Sequence, residues 1–200
     1  MPYVLTVDQR RSRRSVDRVD AALATLASVP TLLAFERTAG DEFQGVLADP
    51  VSVVDVMLHL VSDAHWHIGV GVGPVQHPLP ASTRAAHGPA FELAREAVEA
   101  AKRRPQHLAV RALDPVAAAD AEAVLALIAA TVSRRSKQAI EAVDLVGSGL
   151  TTTQAAARLG ISRQAVGQRL SAGLWHEERD VRPAAARLLE RCASCDRGDR

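Results

Sequence analysis

Apolar positions in the first 113 residues alternate between the spacing of strands and that of helices. The strand period predicts five strands and the helical period three helices. The predicted strands are residues 3–7, 32–38, 43–47, 67–72 and 108–113, and the helices are residues 16–29, 50–61 and 90–103. The order β-α-β-β-α-β-α-β predicts an α+β domain over residues 1–113, with helices packed on a mixed or antiparallel sheet.

From Asp114 onward the apolar residues follow helical spacing alone. The step Asp114-Pro115 favours an extended turn, and so a domain boundary, because proline disfavours a helical conformation of the residue before it. The alanine-rich residues 114–135 predict a linker helix, residues 136–190 an all-α domain, and residues 191–200 a tail. The sequence therefore predicts an α+β domain followed by an all-α domain.

Three small or apolar residues at the spacing Ala-x3-Gly-x5-Val predict two short helices that meet at a tight turn. Ala156 lets the helices approach closely, Gly160 supplies a positive φ, and Val166 fills the corner between them. The hydroxyl of Thr151 or Thr152 is placed to cap the first helix. Two amphipathic helices of an ordinary bundle are the alternative interpretation.

The second helix of this pair predicts a face that reads base edges. Arg and Gln side chains make bidentate contacts with guanine and adenine, each worth about 1–3 kcal/mol of discrimination. Residues 146–175 contain no Asp or Glu, as a surface that faces phosphates requires. The predicted DNA-binding residues are Thr152, Thr153, Ser162 (which also caps the second helix), Arg163, Gln164, Gln168 and Arg169.

This stretch, preceded by a predicted helix at residues 136–146, resembles the helix-turn-helix of sigma-factor region 4 and related bacterial regulators. The resemblance covers about a quarter of the chain and implies double-stranded DNA as the partner. One short helix reads few bases, so we expect a homodimer on a two-fold symmetric site, with the N-terminal domain mediating the pairing.

Carboxylates stand at two predicted turns of the N-terminal domain. Asp8 ends the first strand, and Asp41 lies in the hairpin turn Ala-Gly-Asp-Glu-Phe at residues 39–43. The strand-helix-hairpin order brings the two together, where they could hold Mg²⁺, a hard cation that takes oxygen ligands and pairs with nucleotide phosphates. A good hairpin turn and a strand-end residue without a metal are the alternative.

The hairpin turn, Ile-Gly-Val-Gly-Val-Gly at residues 68–73 and the alanine-rich run at residues 94–104 are similar to the palm-type domain of class III nucleotide cyclases and GGDEF diguanylate cyclases. The layout with a C-terminal helix-turn-helix resembles the SatD-like family of bacterial proteins, described as regulators. The resemblance implies a ferredoxin-like, palm-type fold in which Asp8 and Asp41 bind Mg²⁺ and Lys102 contacts a nucleotide phosphate.

The chain departs from these cyclases at the catalytic positions. Gln9, Arg10 and Arg11 follow Asp8 without a second acid, and Glu92 stands near the position of a cyclase asparagine that stabilises the transition state. Losing such a group typically costs about 10²–10³ in rate. We therefore expect a degenerate domain that senses a nucleotide or only dimerises, with a Mg²⁺-dependent nucleotidyl cyclase-like enzyme as the alternative. The basic cluster of Arg10, Arg11, Arg13 and Arg14 could bind phosphates of a nucleotide, with Arg10 and Arg11 as the candidates, or phosphates of DNA, or could form a solvated loop.

Charge and hydropathy limit the remaining classes. The chain carries 24 Lys and Arg against 23 Asp and Glu, so DNA affinity must come from local charge patterning. The N-terminal apolar run is too brief for a signal peptide. No run approaches the roughly 20 apolar residues of a membrane span. We expect a cytoplasmic protein that has no membrane partner.

Two smaller groups of metal-binding residue types remain. Cys192 and Cys195 form a C-x-x-C pair that could hold zinc, with His176 as a third ligand, or act as a redox pair. We favour a solvated tail with two free thiols, because a zinc site usually needs four ligands. His65 and His67 share one face of a predicted strand, and we favour a surface pair over a metal site.

Overall fold

A computed structural model describes residues 1–12 and 16–194, which form a five-stranded mixed sheet and eight α-helices. The strands are β1 (Tyr3–Gln9), β2 (Leu33–Ala39), β3 (Glu42–Leu47), β4 (Trp66–Val72) and β5 (Leu108–Ala112). The helices are α1 (Val19–Leu26), α2 (Pro50–Asp63), α3 (Pro89–Ala101), α4 (Pro115–Val132), α5 (Lys137–Gly147), α6 (Thr152–Leu159), α7 (Arg163–Ala172) and α8 (Trp175–Ser194). The predicted α+β class with a mixed sheet is confirmed.

The strand order across the sheet is β2-β3-β1-β4-β5. The central strand β1 runs antiparallel to both β3 and β4, and β5 runs parallel to β4. Asp8 therefore pairs with Glu42 on one side and with His67 on the other. This register brings the end of β1 next to the hairpin between β2 and β3.

The two faces of the sheet are covered differently. Side chains at alternate positions of β1, including Leu5 and Val7, enter the principal core with α2, α4 and α8, because successive strand residues point to opposite faces. The opposite face lies against α3. A Cβ atom at Gly71 would stand 2.1 Å from the carbonyl oxygen of Ala90, so glycine is what lets α3 pack directly on β4.

The segment expected to be a linker is part of the principal core. Helix α4 packs against β5 and α8, and Leu125 at its centre is fully buried. Helix α8 continues to Ser194, so the predicted tail begins as a helix. Cys192 is buried and its thiol donates a hydrogen bond to the carbonyl of Leu188 at 3.3 Å, which is the opposite of the solvated thiol that we expected. Cys195 lies outside the described residues.

Helix α4 is more apolar over its whole length than the sequence analysis indicated. Within residues 1–12 and 16–194 it is the one helix long and apolar enough, by length and composition, to cross a membrane, with a mean hydropathy of 1.7 over 18 residues. Core helices satisfy the same criterion. One side of α4 lies against protein, as its buried residues Ala121, Leu125 and Ala129 show.

Helix α1 is shorter than predicted. It begins at Val19 rather than at residue 16, and Val16 is 79% exposed. The side-chain amide of Gln9 donates to the carbonyl of Val16 at 2.8 Å and accepts from the backbone N–H of Arg18 at 2.8 Å. These bonds tie the segment to β1, and the first of them occupies the Val16 carbonyl, which a longer helix would need for its own hydrogen bond.

Candidate nucleic-acid interface

Helices α5, α6 and α7 pack around a small hydrophobic cluster of their own. Its buried members are Ala142, Val143, Ala155, Ala156, Val166, Leu170 and Trp175. Leu159 and Ile161, on either side of the predicted turn, pack against the cluster from its edge. The two short helices thus obtain their stability from tertiary packing, which helices of this length require.

Local hydrogen bonds fix the turn between α6 and α7. Thr151 and Gln154 form a reciprocal capping box at the start of α6. Gly160 ends α6 with a φ of +65°, and the N–H of Ile161 donates to the carbonyl of Ala156 at 3.1 Å. The hydroxyl of Ser162 accepts the backbone N–H of Ala165 at 3.1 Å and so caps α7. The predicted roles of Gly160 and Ser162 in this turn are confirmed.

The outward side of α7 is polar and accessible. Arg163, Gln164 and Gln168 are exposed, and they line a shallow groove together with Thr152 of α6. Thr153 is exposed in the first turn of α6. Helices α6 and α7 contain no carboxylate, and the positive end of the α7 dipole lies at Arg163. The arrangement suits an anionic partner.

Arg169 lies apart from this exposed row. Its Nη1 atom is 3.5 Å from Oε2 of Glu141 in α5, and its side chain is 27% exposed. The contact directs the guanidinium toward α5 rather than along the groove. Within the part of the chain that the structure describes, Arg169 is therefore the predicted DNA-binding residue whose charge a carboxylate offsets.

An ion network joins the α5–α7 unit to the sheet. Arg135 donates from Nε to the carbonyl of Gly173, just after α7, at 2.7 Å and from Nη2 to Oε2 of Glu178 at 2.5 Å. Oε1 of Glu178 accepts from Nε of Arg182 at 2.6 Å, and Arg182 reaches Oδ1 of Asp55 in α2 at 2.8 Å. We call these five residues the inter-domain ion network. It connects the end of α7 to α2, a helix of what we call the sheet domain, the five strands with α1 to α4.

A second group of predicted residues meets at the end of β1. Oδ2 of Asp8 lies 3.4 Å from Nζ of Lys102, which also contacts Oε1 of Glu99 at 2.6 Å. The backbone carbonyl of Asp41 accepts from the N–H of Gln9 at 3.1 Å, so the hairpin turn is adjacent. Burial raises the pKa of Asp8, and the neighbouring Asp41 raises it further while Lys102 opposes both. The predicted carboxylates and the predicted lysine therefore lie together.

The two arginines after Asp8 have different surroundings. Nη1 of Arg10 donates to the carbonyl of Ala64 at 2.9 Å, which ties the loop to the end of α2. Arg11 has a positive φ of 56° and is exposed. The guanidinium of Arg10 thus has a structural partner.

His67 packs against a histidine that the sequence did not connect with it. The rings of His67 and His107 stand edge to face with centroids 4.9 Å apart, whereas His65 precedes β4. Burial, helped by His107 and Arg10, lowers the pKa of His67 to about 4. Within the described chain, neither Nδ1 atom of this pair has a hydrogen-bond partner. The predicted His65–His67 surface pair is replaced by a half-buried His67–His107 pair.

This pair makes folding sensitive to acid. An unfolded histidine titrates near 6.5 and folded His67 near 4, so the unfolded state binds more protons between these values and stability falls as the pH drops through that window. We expect His67→Gln to lose less stability than the parent between pH 7 and pH 5, as measured by urea unfolding. His87→Gln, at an exposed loop position, is the matched control and should keep the parent's pH dependence. An equal dependence of the free energy of unfolding on pH in all three proteins would contradict this role of His67.

Among the described residues, no group of three or more His, Cys, Asp or Glu side chains is arranged to hold a metal ion. Comparison of the chain with protein-family models, with curated proteins and with solved structures finds no match in any of the three. The geometry of the molecule and the residues that line its surfaces are therefore what indicate its function.

Proposed function

We propose that this protein is a sequence-specific DNA-binding transcription regulator in which α6 and α7 form a helix-turn-helix. In such motifs the second helix enters the major groove and its N-terminal residues contact base edges. The observation that carries the proposal is the exposed, carboxylate-free row of Arg163, Gln164 and Gln168 on α7. The resemblance to sigma-factor region 4 supports the same assignment.

Each part of the α6–α7 pair receives a role. Arg163 and Gln164 read guanine and adenine edges, and Gln168, one turn further along α7, extends the readout. Thr152 and Thr153, with Ser162 at the start of α7, contact phosphates, since hydroxyls and helix N-termini are frequent phosphate donors. Arg169 lies beside the groove, where Glu141 offsets its charge. The protein acts in the cytoplasm as a homodimer on a two-fold symmetric site.

The sheet domain serves as the sensing and pairing part of this regulator. Arg10, Arg11 and Lys102 surround the end of β1, where a nucleotide effector would place its phosphates. The inter-domain ion network then provides the route by which a change in the sheet domain reaches α7, because it ends at the carbonyl of Gly173.

The proposal is tested by replacing Arg163 and Gln164 together with Ala. DNA selected from random duplexes by the intact protein should bind the double variant about 10²-fold more weakly or worse, since two base contacts of about 1–3 kcal/mol each are lost. Electrophoretic retardation at two salt concentrations separates base contacts from phosphate contacts. Arg179→Ala, an exposed arginine of α8, is the control and should bind like the parent. Selection of no duplex by the parent, or equal binding by the double variant, would sink the proposal.

A nucleotidyl cyclase-like enzyme is the second candidate, favoured by the proximity of Asp8, Asp41 and Lys102. Two carboxylates fit the ligand set of a Mg²⁺ ion that is shared with substrate phosphates, and such an ion would offset the phosphate charge. Lys102 lies 3.4 Å from Asp8 and so already balances one of these carboxylates. Incubation with ATP or GTP and Mg²⁺ decides the matter: turnover that Asp41→Ala abolishes supports an enzyme, and no turnover by the parent removes it.

A further inference from the structure

The outward face of α4 is an apolar stripe that the described residues, 1–12 and 16–194, leave uncovered. Val116 near its start is 69% exposed and Leu127 near its end is 70% exposed. Between them, Ala119 and Ala123 are also exposed, and all four lie on one side because their spacing follows the helical period. The opposite side, centred on Leu125, is buried.

This stripe gathers most of the exposed large apolar side chains. Seven such residues occur in the described ranges, and four of them, Leu113, Val116, Leu127 and Leu174, lie on the stripe or at its two ends. Scattered apolar residues on a surface need no explanation, whereas a contiguous apolar patch marks an interaction site.

The two ends of the stripe have complementary shapes. At the carboxyl end of α4 lies a notch of about 190 Å³. It is lined by the apolar residues Leu127, Ala130, Ala172 and Leu174, by Gly173, and by the polar residues Thr131, Arg134 and Arg135. At the amino end, Val116 projects into solvent. The projection at Val116 and the notch near Ala130 are about 21 Å apart along α4, at 1.5 Å per residue. When a second copy of the helix lies antiparallel to the first, its projection therefore faces this notch.

We propose that this face pairs with the same face of a second copy of the chain, with the two α4 helices antiparallel about a two-fold axis at Ala123. Val116 of each copy then lies opposite Ala130 of the other, where it fills the notch, and Ala119 lies opposite Leu127. Such an isologous contact closes as a dimer. The small side chains at Ala119 and Ala123 allow the two backbones to approach closely.

The charges at the margins agree with an antiparallel pairing. Exposed Arg134, just after α4, comes over the amino end of the other α4, where Asp114 of the partner subunit carries a negative charge. The exposed side of α4 has one acidic residue, Asp120, at the margin of the stripe. Its carboxylate lies 3.8 Å from the guanidinium of Arg191 in the same chain, which offsets its charge. Antiparallel helices also place their dipoles in the favourable orientation.

This dimer would also fix the two α7 helices relative to each other. The meaning of that arrangement for DNA binding rests on the proposed function, whereas the dimer itself does not. The notch includes Ala172, the last residue of α7, and Leu174, two residues beyond it. A partner seated in the notch therefore contacts the carboxyl end of each α7 and fixes the two helices relative to each other.

The test measures self-association of the full chain without DNA, by sedimentation from low micromolar concentration upward. We expect a dimer whose dissociation constant rises at least about tenfold in Val116→Glu and in Leu127→Glu, because each buries a charge at the contact. Val51→Glu is the matched control, since Val51 is 52% exposed on α2 and away from the stripe. Circular dichroism melts verify that each variant is folded.

A cross-link tests the register. In a Cys195→Ser background, Ala123→Cys should form a disulfide between copies on mild oxidation, because a residue on the axis meets itself. A parent that stays monomeric, or a dimer that both glutamate variants leave unchanged, overturns the proposal. Binding of the monomer to anionic vesicles would assign the stripe to a membrane surface instead. These outcomes are independent of the DNA-retardation result, so either inference can fail alone.

Discussion

Replacing Glu178 with Ala should lower the free energy of unfolding by about 3–5 kcal/mol, the usual loss when one partner of a buried ion pair is removed. The Glu178 side chain is fully buried, and the side chain of Arg135 beside it is 4% exposed. Without Glu178, the guanidinium of Arg135 keeps its charge while nearly all of its side chain is shielded from solvent. Urea unfolding at neutral pH measures the difference.

Asp180→Ala provides the contrast within the same helix. Asp180 pairs with Arg179 at 2.9 Å on the surface, with side chains 68% and 56% exposed, so its loss should cost less than about 1 kcal/mol. Replacing Arg135 and Glu178 together with apolar residues of similar size should recover much of the stability, because no unpaired charge remains. A small effect of Glu178→Ala, equal to that of Asp180→Ala, would contradict the buried network.

Gly71→Ala should destabilise the protein by about 3 kcal/mol, at the upper end of the range for overpacking. A Cβ atom there would lie 2.1 Å from the carbonyl oxygen of Ala90 and 2.3 Å from the backbone nitrogen of Ala94. Both are backbone atoms of α3, so relief requires the whole helix to move away from β4. The shift of the urea midpoint measures the loss.

Gly167→Ala is the control for the Gly71→Ala substitution. A Cβ atom at Gly167 meets nothing within 4 Å, and the residue lies inside α7, where Ala is favoured over Gly by about 0.5–1 kcal/mol. We expect the variant to be as stable as the parent or slightly more so. Equal destabilisation by the two substitutions would mean that close packing of α3 is not what Gly71 provides.

The strands and the turn between α6 and α7 could be predicted because their signals are local. Alternation of apolar residues gave the five strands in order, and Gly160 and Ser162 each act on neighbouring backbone groups. The packing of α4 could not be predicted in this way. Alanine and other apolar residues occupy nearly every side of α4, so periodicity does not reveal which side is buried.

The same limit applies to the residues around the candidate sites. His67 meets His107 because β4 and β5 are parallel, with Ile68 opposite Leu108, and a crossover helix separates the two in sequence. Arg169 meets Glu141 only because α5 and α7 pack together. The Glu178–Arg182 pair has the helical i, i+4 spacing, but nothing local indicates that Arg135 completes it.

For the proposed DNA-binding regulator, the inter-domain ion network also bears on the spacing between the two half-sites. It attaches the carboxyl end of α7 to α2 through the buried Arg135–Glu178 pair and the more exposed Arg182–Asp55 pair rather than through a flexible tether. Inserting one base pair between two half-sites displaces one of them by about 3.4 Å and turns it by about 35°. In the proposed dimer, two rigidly held α6–α7 pairs could not follow that rotation. Such a protein would therefore discriminate between sites by the number of base pairs between the half-sites as strictly as by their base sequence.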